Sequence, residues 1–141
     1  MVKKEKTLAI IKPDAVGKKV AGEIISMIEN SGLEIKSIKM ATLDTSSAAG
    51  FYAVHNGKSF YDGLIEFMVS GPCIILVLEG ENAVEIWRGL MGATDPQQAP
   101  QGTVRRKYGT DVRRNSCHGS DSAENAQNEI SFFFPGIELL K

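Results

Sequence analysis

Apolar positions along this chain fall into two periods, and their order predicts the elements. Thr7-Leu8-Ala9-Ile10-Ile11 is an apolar run stopped by Lys12-Pro13-Asp14. Proline removes a backbone donor and restricts the residue before it, so the run reads as a strand ending at Lys12. Ligands of open α/β sheets tend to bind at that edge. Between Val20 and Ser31, Val20, Ile24, Ile25 and Ile28 recur at helical spacing, and Gly32 supplies a C-cap. Leu33-Glu34-Ile35-Lys36 alternates as a strand does. The alternation then slips at Ile38 and Met40, which predicts a bulge or an edge position. Asp44–Tyr52 and Phe60–Ser70 carry two weak helical patterns around an Asn56-Gly57 turn, an insertion hairpin.

Cys73-Ile74-Ile75-Leu76-Val77-Leu78, opened by Pro72, is apolar on both faces and belongs in the middle of a covered sheet. A helix through Val84, Trp87, Leu90 and Met91 follows a turn at Glu79-Gly80. Residues 92–114 show no period and read as a long loop, a feature that is usually functional or disordered in a compact domain. Cys117-His118 forms a brief strand. Asp121-x-x-Glu124 resembles a capping box ahead of a helix through Ala123, Ala126, Ile130 and Phe134. The order predicts an α+β fold, an α/β sandwich: a ferredoxin-like split βαβ antiparallel sheet with helices packed on one face. Residues 1–141 read as one domain.

Composition narrows the picture. The formal net charge of -1 gives no global reason to bind nucleic acid or a membrane. No apolar run is long enough to span a bilayer, and the polar start Met1–Lys6 does not read as a signal peptide. Two cysteines without a CxxC argue against a disulfide framework or a zinc site and suit a reduced, cytoplasmic compartment.

The chemistry gathers around Asn115-Ser116-Cys117-His118-Gly119-Ser120-Asp121. A neutral imidazole is a nucleophile near neutral pH, and a helix N-terminus attracts anions, so His118 there suggests phosphate chemistry. Such a histidine needs an orienting partner, and Glu129 is the acidic candidate. His55, in a polar turn, reads as a bystander, and Cys117 as packing. Gly57-Lys58-Ser59 imitates the end of a phosphate-binding loop, but Tyr52 stands where the first glycine belongs. Side-chain cations must therefore grip any phosphate: Lys12, Arg88, Arg105, Arg113 and Arg114 are available. Taken singly, each is better read as a surface charge. The run Arg105-Arg106-Lys107 also allows a second reading, a module binding single-stranded nucleic acid, although aromatic residues are sparse there.

The stretch Asn115-x-x-His118-Gly119-Ser120-Asp121 resembles the active-site signature of nucleoside diphosphate kinases. The resemblance continues through Ile11-Lys12-Pro13-Asp14-Ala15-Val16, Ser70-Gly71-Pro72, Leu78-Glu79-Gly80-Glu81-Asn82-Ala83 and Gly92-Ala93-Thr94-Asp95-Pro96, and covers essentially the whole chain. It implies ping-pong transfer of the γ-phosphate of a nucleoside triphosphate, mainly ATP, to a nucleoside diphosphate through a phosphohistidine on His118. Glu129 and Ser120 would support the imidazole. Lys12, Tyr52, Arg88, Thr94, Arg105 and Asn115 match phosphate and ribose contacts, and Phe60 and Val112 match the pair that clamps the base. Mg2+ is implied, held mainly through the nucleotide phosphates, with no protein ligand named. A homo-oligomer, tetramer or hexamer, is also implied, with no membrane and no required nucleic acid. Gln101-Gly102 after Pro100, and Arg113, depart from the family pattern on the long loop. So does the ending soon after Phe134-Pro135-Gly136.

Overall fold

The structure, a computed structural model, describes residues 4–134; the features read at Met1–Lys3 and at Pro135-Gly136 lie outside them. Strand β1 (Lys4–Ile11) runs into a short helix, α1 (Pro13–Gly17), and then α2 (Ala21–Asn30) and β2 (Glu34–Ala41). Helices α3 (Thr45–Phe51) and α4 (Tyr61–Met68) form the insertion hairpin. After β3 (Cys73–Glu81) come α5 (Ala83–Met91), α6 (Val104–Tyr108), β4 (Cys117–Gly119) and α7 (Ala123–Phe133).

The four strands lie in the order β2-β3-β1-β4, with every neighbouring pair antiparallel. β3 thus inserts between β1 and β2, the two strands of the first βαβ unit, and β1 inserts between β3 and β4. This is the expected ferredoxin-like arrangement. The slip in apolar alternation has a structural counterpart. Ile35 pairs with Leu78 and Ser37 with Val77, so Lys36 is an extra residue on edge strand β2. The strand apolar on both faces, β3, is one of the two central strands.

The expectation of helices on one face is corrected. Alternate residues of the central strands feed two cores. Ala9, Ile11, Ile74, Leu76 and Leu78 pack with Ile24, Ile28, Trp87 and Met91 from the crossover helices α2 and α5. Leu8, Ile10, Cys73, Ile75 and Val77 pack with Tyr52, Met68, Ala126, Ile130 and Phe133 from α3, α4 and α7. Two right-handed crossovers place their helices on the same face, so a one-faced reading holds for the βαβ units alone. The hairpin and α7 cover the other face, because strands this apolar leave no face fit for water.

Three local readings also change. The strand continues through Glu79-Gly80 to Glu81, and the chain turns at Asn82, whose φ is 54°. The stretch 92–114 contains a 3-10 turn (Pro96–Gln98) and α6, the latter capped by the Thr103 side chain accepting from the Arg106 N–H. The cap of α7 is Ser122, whose hydroxyl accepts from the Asn125 N–H at 3.1 Å, one residue later than the Asp121 box. The Asn56-Gly57 turn is present, with Gly57 at φ 92° and the Lys58 N–H on the His55 carbonyl.

Candidate active site

Position begins with β4. It pairs Ile10 with His118 and Ile11 with Cys117, so the histidine sits on an edge strand of the sheet beside the C-terminal end of β1. The Trp87 indole N–H donates to the His118 carbonyl at 3.0 Å, fixing that backbone from the α5 side. Gly119 is required there: a Cβ would lie 2.6 Å from Met91 and 2.7 Å from Trp87.

The imidazole itself is held by α7. His118 Nε2 lies 2.9 Å from Glu129 Oε1, and the Ser120 hydroxyl donates to the same oxygen at 2.9 Å. Ser120 in turn accepts from the Leu8 N–H at 3.1 Å, so the carboxylate is braced from the sheet. With Nε2–H donating to a carboxylate, the lone pair resides on Nδ1. Phe51 packs edge-on against the ring at 5.2 Å, and Tyr52 does so at 6.2 Å. Glu129 lies well inside α7, so the imidazole is oriented by a helix side chain. The N-terminus of α7 is capped by the Ser122 side chain.

Two cations gather at Asn115 and Cys117, just ahead of His118 in the chain. Lys12, 7% exposed, donates from Nζ to Asn115 Oδ1 at 2.9 Å. Burial, and next the Arg105 charge, bring its ammonium down to about 8, within reach of neutral pH. Asn115 is fixed by its amide donating to the carbonyls of Thr94 (3.0 Å) and Val112 (2.9 Å). Arg105 lies in α6 and is 9% exposed; it donates to the carbonyls of Gly92 at 3.0 Å and Cys117 at 2.9 Å. Burial lowers its pKa, and the neighbouring Arg88 charge lowers it further. Arg88 itself is exposed on α5.

The remaining predicted residues form the rim. Phe60 is 44% exposed and lies 5.3 Å from His55, which stacks on Tyr52 at 6.2 Å. Val112 is 58% exposed on a cleft of about 610 Å³ between α4 and the 111–114 turn. Thr94 is exposed and meets the centre through its carbonyl. Every predicted site residue thus belongs to one contiguous region, built from β1, α3, α5, α6, β4 and α7.

Four residues escaped the sequence reading. His55 is a ring in the aromatic row between Phe60 and Tyr52. Trp87 and Phe51 hold the backbone and ring of His118, and Asp14 accepts from the Ser116 N–H at 3.0 Å. Asp14 and Trp87 stand within stretches rich in motif or core signal, but their partners lie far away in sequence. The second reading of Arg105-Arg106-Lys107 is corrected, because Arg105 is buried and committed to carbonyls while Arg106 donates to the Gln97 carbonyl. Cys117 is inert as read: burial pushes its thiol up to about 12.

Buried polar side chains without partners are rare in folded proteins. Among the described residues five such atoms occur, and Tyr52 Oη, Arg105 Nε, Asp14 Oδ1 and Ser116 Oγ all belong to this region. Tyr52 Oη, Arg105 Nε and Ser116 Oγ are donors held in place yet unpaired, which suit an anion that arrives from solution, whereas the Asp14 oxygen only accepts. A histidine with one nitrogen fixed by a carboxylate and a cradle of buried cations makes a phosphotransferase.

Comparison with known proteins agrees. The family model described as "Nucleoside diphosphate kinase" matches residues 5–139. A nucleoside diphosphate kinase of Helicobacter pylori is 53% identical over 136 residues, covering 96% of this chain and 99% of that one. One of Chlamydia caviae is 52% identical over 136 residues, covering 96% of each. The crystal structure of the Aquifex aeolicus nucleoside diphosphate kinase superposes with a TM-score of 0.94 at 42% identity, covering 96% of this chain and 99% of that one. The Halobacterium salinarum nucleoside diphosphate kinase in complex with CDP gives 0.93 at 40%, covering 99% and 93%. The chain belongs to the nucleoside diphosphate kinase family. Its activity is phosphoryl transfer between nucleotides, and its substrates are nucleotides.

Proposed function

We propose that His118 Nδ1 is the nucleophile of a two-step transfer. It attacks the γ-phosphorus of a nucleoside triphosphate, mainly ATP; the bond from that phosphorus to the bridging oxygen breaks and the diphosphate leaves. A terminal phosphate oxygen of an acceptor diphosphate then attacks the same phosphorus, and the N–P bond breaks. The observation that supports this most is the 2.9 Å contact of Nε2 with Glu129, itself braced by Ser120. It directs the lone pair of the neutral imidazole to Nδ1, and the carboxylate offsets the positive charge that develops on the ring.

Lys12, Arg105 and Arg88 stabilise charge on the transferring group, which is the main task in phosphoryl transfer. Tyr52 Oη adds a buried donor, and Thr94 and Asn115 complete the phosphate and ribose contacts. Phe60 and Val112, both exposed, take the base between apolar surfaces, a mode of contact that tolerates every base. The site's own donors are ammonium, guanidinium, amide and hydroxyl groups, which suit phosphate oxygens rather than a dication. Mg2+ therefore enters as part of the nucleotide complex, held mainly through the phosphates.

The chain acts as one such domain, in the cytoplasm, as a homo-oligomer. Supporting the last point, edge strand β2 exposes Ile38 at 51% and Met40 at 62% beside unpaired backbone groups. Sedimentation equilibrium is expected to give a tetramer or hexamer, and a monomer at micromolar concentration would contradict it. No helix among the described residues is long and apolar enough to cross a membrane.

Initial velocities test the two-step reading. With ATP varied at several fixed concentrations of acceptor diphosphate, double-reciprocal lines should be parallel, as a ping-pong sequence requires. Lines intersecting left of the axis would mean that both nucleotides must bind before transfer.

A further inference from the structure

The backbone just ahead of the nucleophile is strained. Ser116 is buried at 0% exposure with φ 77°, a conformation that a non-glycine residue seldom adopts. The Cys117 N–H donates across it to the Asn115 carbonyl at 2.9 Å, which closes a tight γ-turn of the rare left-handed kind. The turn has a consequence for the site. It lets Asn115 face Lys12 while the Cys117 carbonyl faces Arg105 and His118 continues along β4.

Such a conformer persists only where its surroundings over-determine it. Here the loop from β1 into α1 grips Ser116 at both ends of the residue. The Lys12 N–H donates to the Ser116 carbonyl at 2.9 Å, and the Ser116 N–H donates to Asp14 Oδ2 at 3.0 Å. The second oxygen, Oδ1, is buried without a partner among the described residues. Burial raises the Asp14 pKa, opposed by the Ser116 N–H and the Lys12 charge. A half-buried carboxylate that accepts one backbone N–H also puts a negative charge near Lys12.

We propose that Asp14 is a positioning residue for phosphoryl transfer: its carboxylate holds the Asn115–Cys117 turn in register and supplies the counter-charge that keeps Lys12 cationic. The inference rests on the reading of this region as the transfer site. Three charged or titratable groups bear on the Lys12 ammonium: Arg105 from α6, Cys117 from β4 and Asp14 from α1. Arg105 drives its proton off, Cys117 and Asp14 oppose that loss, and Asp14 is the carboxylate among these groups. Removing that anion moves the loss of the Lys12 charge to lower pH.

Two substitutions separate the roles. Asp14→Asn keeps an oxygen to accept from Ser116 and removes the charge; Asp14→Ala removes both. Steady-state kinetics across pH 6–10 on the full chain, with thermal melts and His118→Ala in parallel, read the outcome. Asp14→Asn should shift the alkaline limb of kcat/KM to lower pH. Asp14→Ala should lower kcat/KM roughly 10–100-fold, the range typical of residues that orient a site from behind. An alkaline limb unmoved in Asp14→Asn overturns the proposal, even if Asp14→Ala fails to fold. If His118→Ala stays active the reading of the site fails; if it is inactive while both Asp14 variants behave as wild type, only this inference fails.

Discussion

His118→Ala is expected to lower transfer about 10⁶-fold, the scale of losing a covalent nucleophile. Glu129 and Ser120 sit behind the ring on Nε2, and Tyr52 lies 6.2 Å away edge-on, so none of them replaces Nδ1. The fold should survive. The side chain is 18% exposed, and its loss removes one contact with Phe51 and one hydrogen bond to Glu129, which still accepts from Ser120. A destabilisation of about 1–2 kcal/mol follows, readable by thermal melting. Folded protein with near wild-type turnover would remove His118 from the mechanism.

Arg105→Ala carries the second large effect, on activity and stability together. Its guanidinium bridges the carbonyls of Gly92 and Cys117 and leaves Nε buried and unpaired among the described residues. Losing a preorganised donor to the developing charge costs roughly 10²–10³ in kcat. Leaving buried carbonyls without donors costs about 1–3 kcal/mol each. Because Cys117 precedes His118, its released carbonyl also loosens the nucleophile. Arg105→Lys keeps the charge but cannot span both carbonyls with one fork, so it should recover stability only partly. Kinetics well below each variant's melting temperature separate the two effects. An Arg105→Ala enzyme with wild-type kcat would mean that Arg105 serves the fold alone.

Much of this was legible in the sequence, for identifiable reasons. The run Cys73–Leu78 is apolar at every position, which only a strand covered on both faces tolerates. The slip near Ile38 is the direct trace of the extra residue at Lys36. Glu129 was found by chemistry: a nucleophilic imidazole needs an acceptor on its far nitrogen. What stayed hidden depends on contacts between distant residues. Helix α6 is five residues long with a single buried apolar side chain, Val104, too few to register as a period. Its Arg105 is buried because two carbonyls accept from it, a fact with no local signature. Trp87 reads as an ordinary core residue until its indole meets the His118 carbonyl. Asp14 and Ser116 are brought together only by the pairing of β1 with β4. His55 stands out only when α3 delivers Tyr52 beneath it.

The central claim is that the phosphate rests on His118 between two half-reactions. Incubating the protein with ATP labelled in the γ-phosphate, without acceptor, measures this directly. The account predicts a protein-bound label that is stable in alkali, lost in acid, discharged by added nucleoside diphosphate, and absent from His118→Ala. An acid-stable label, or one retained by His118→Ala, would contradict it.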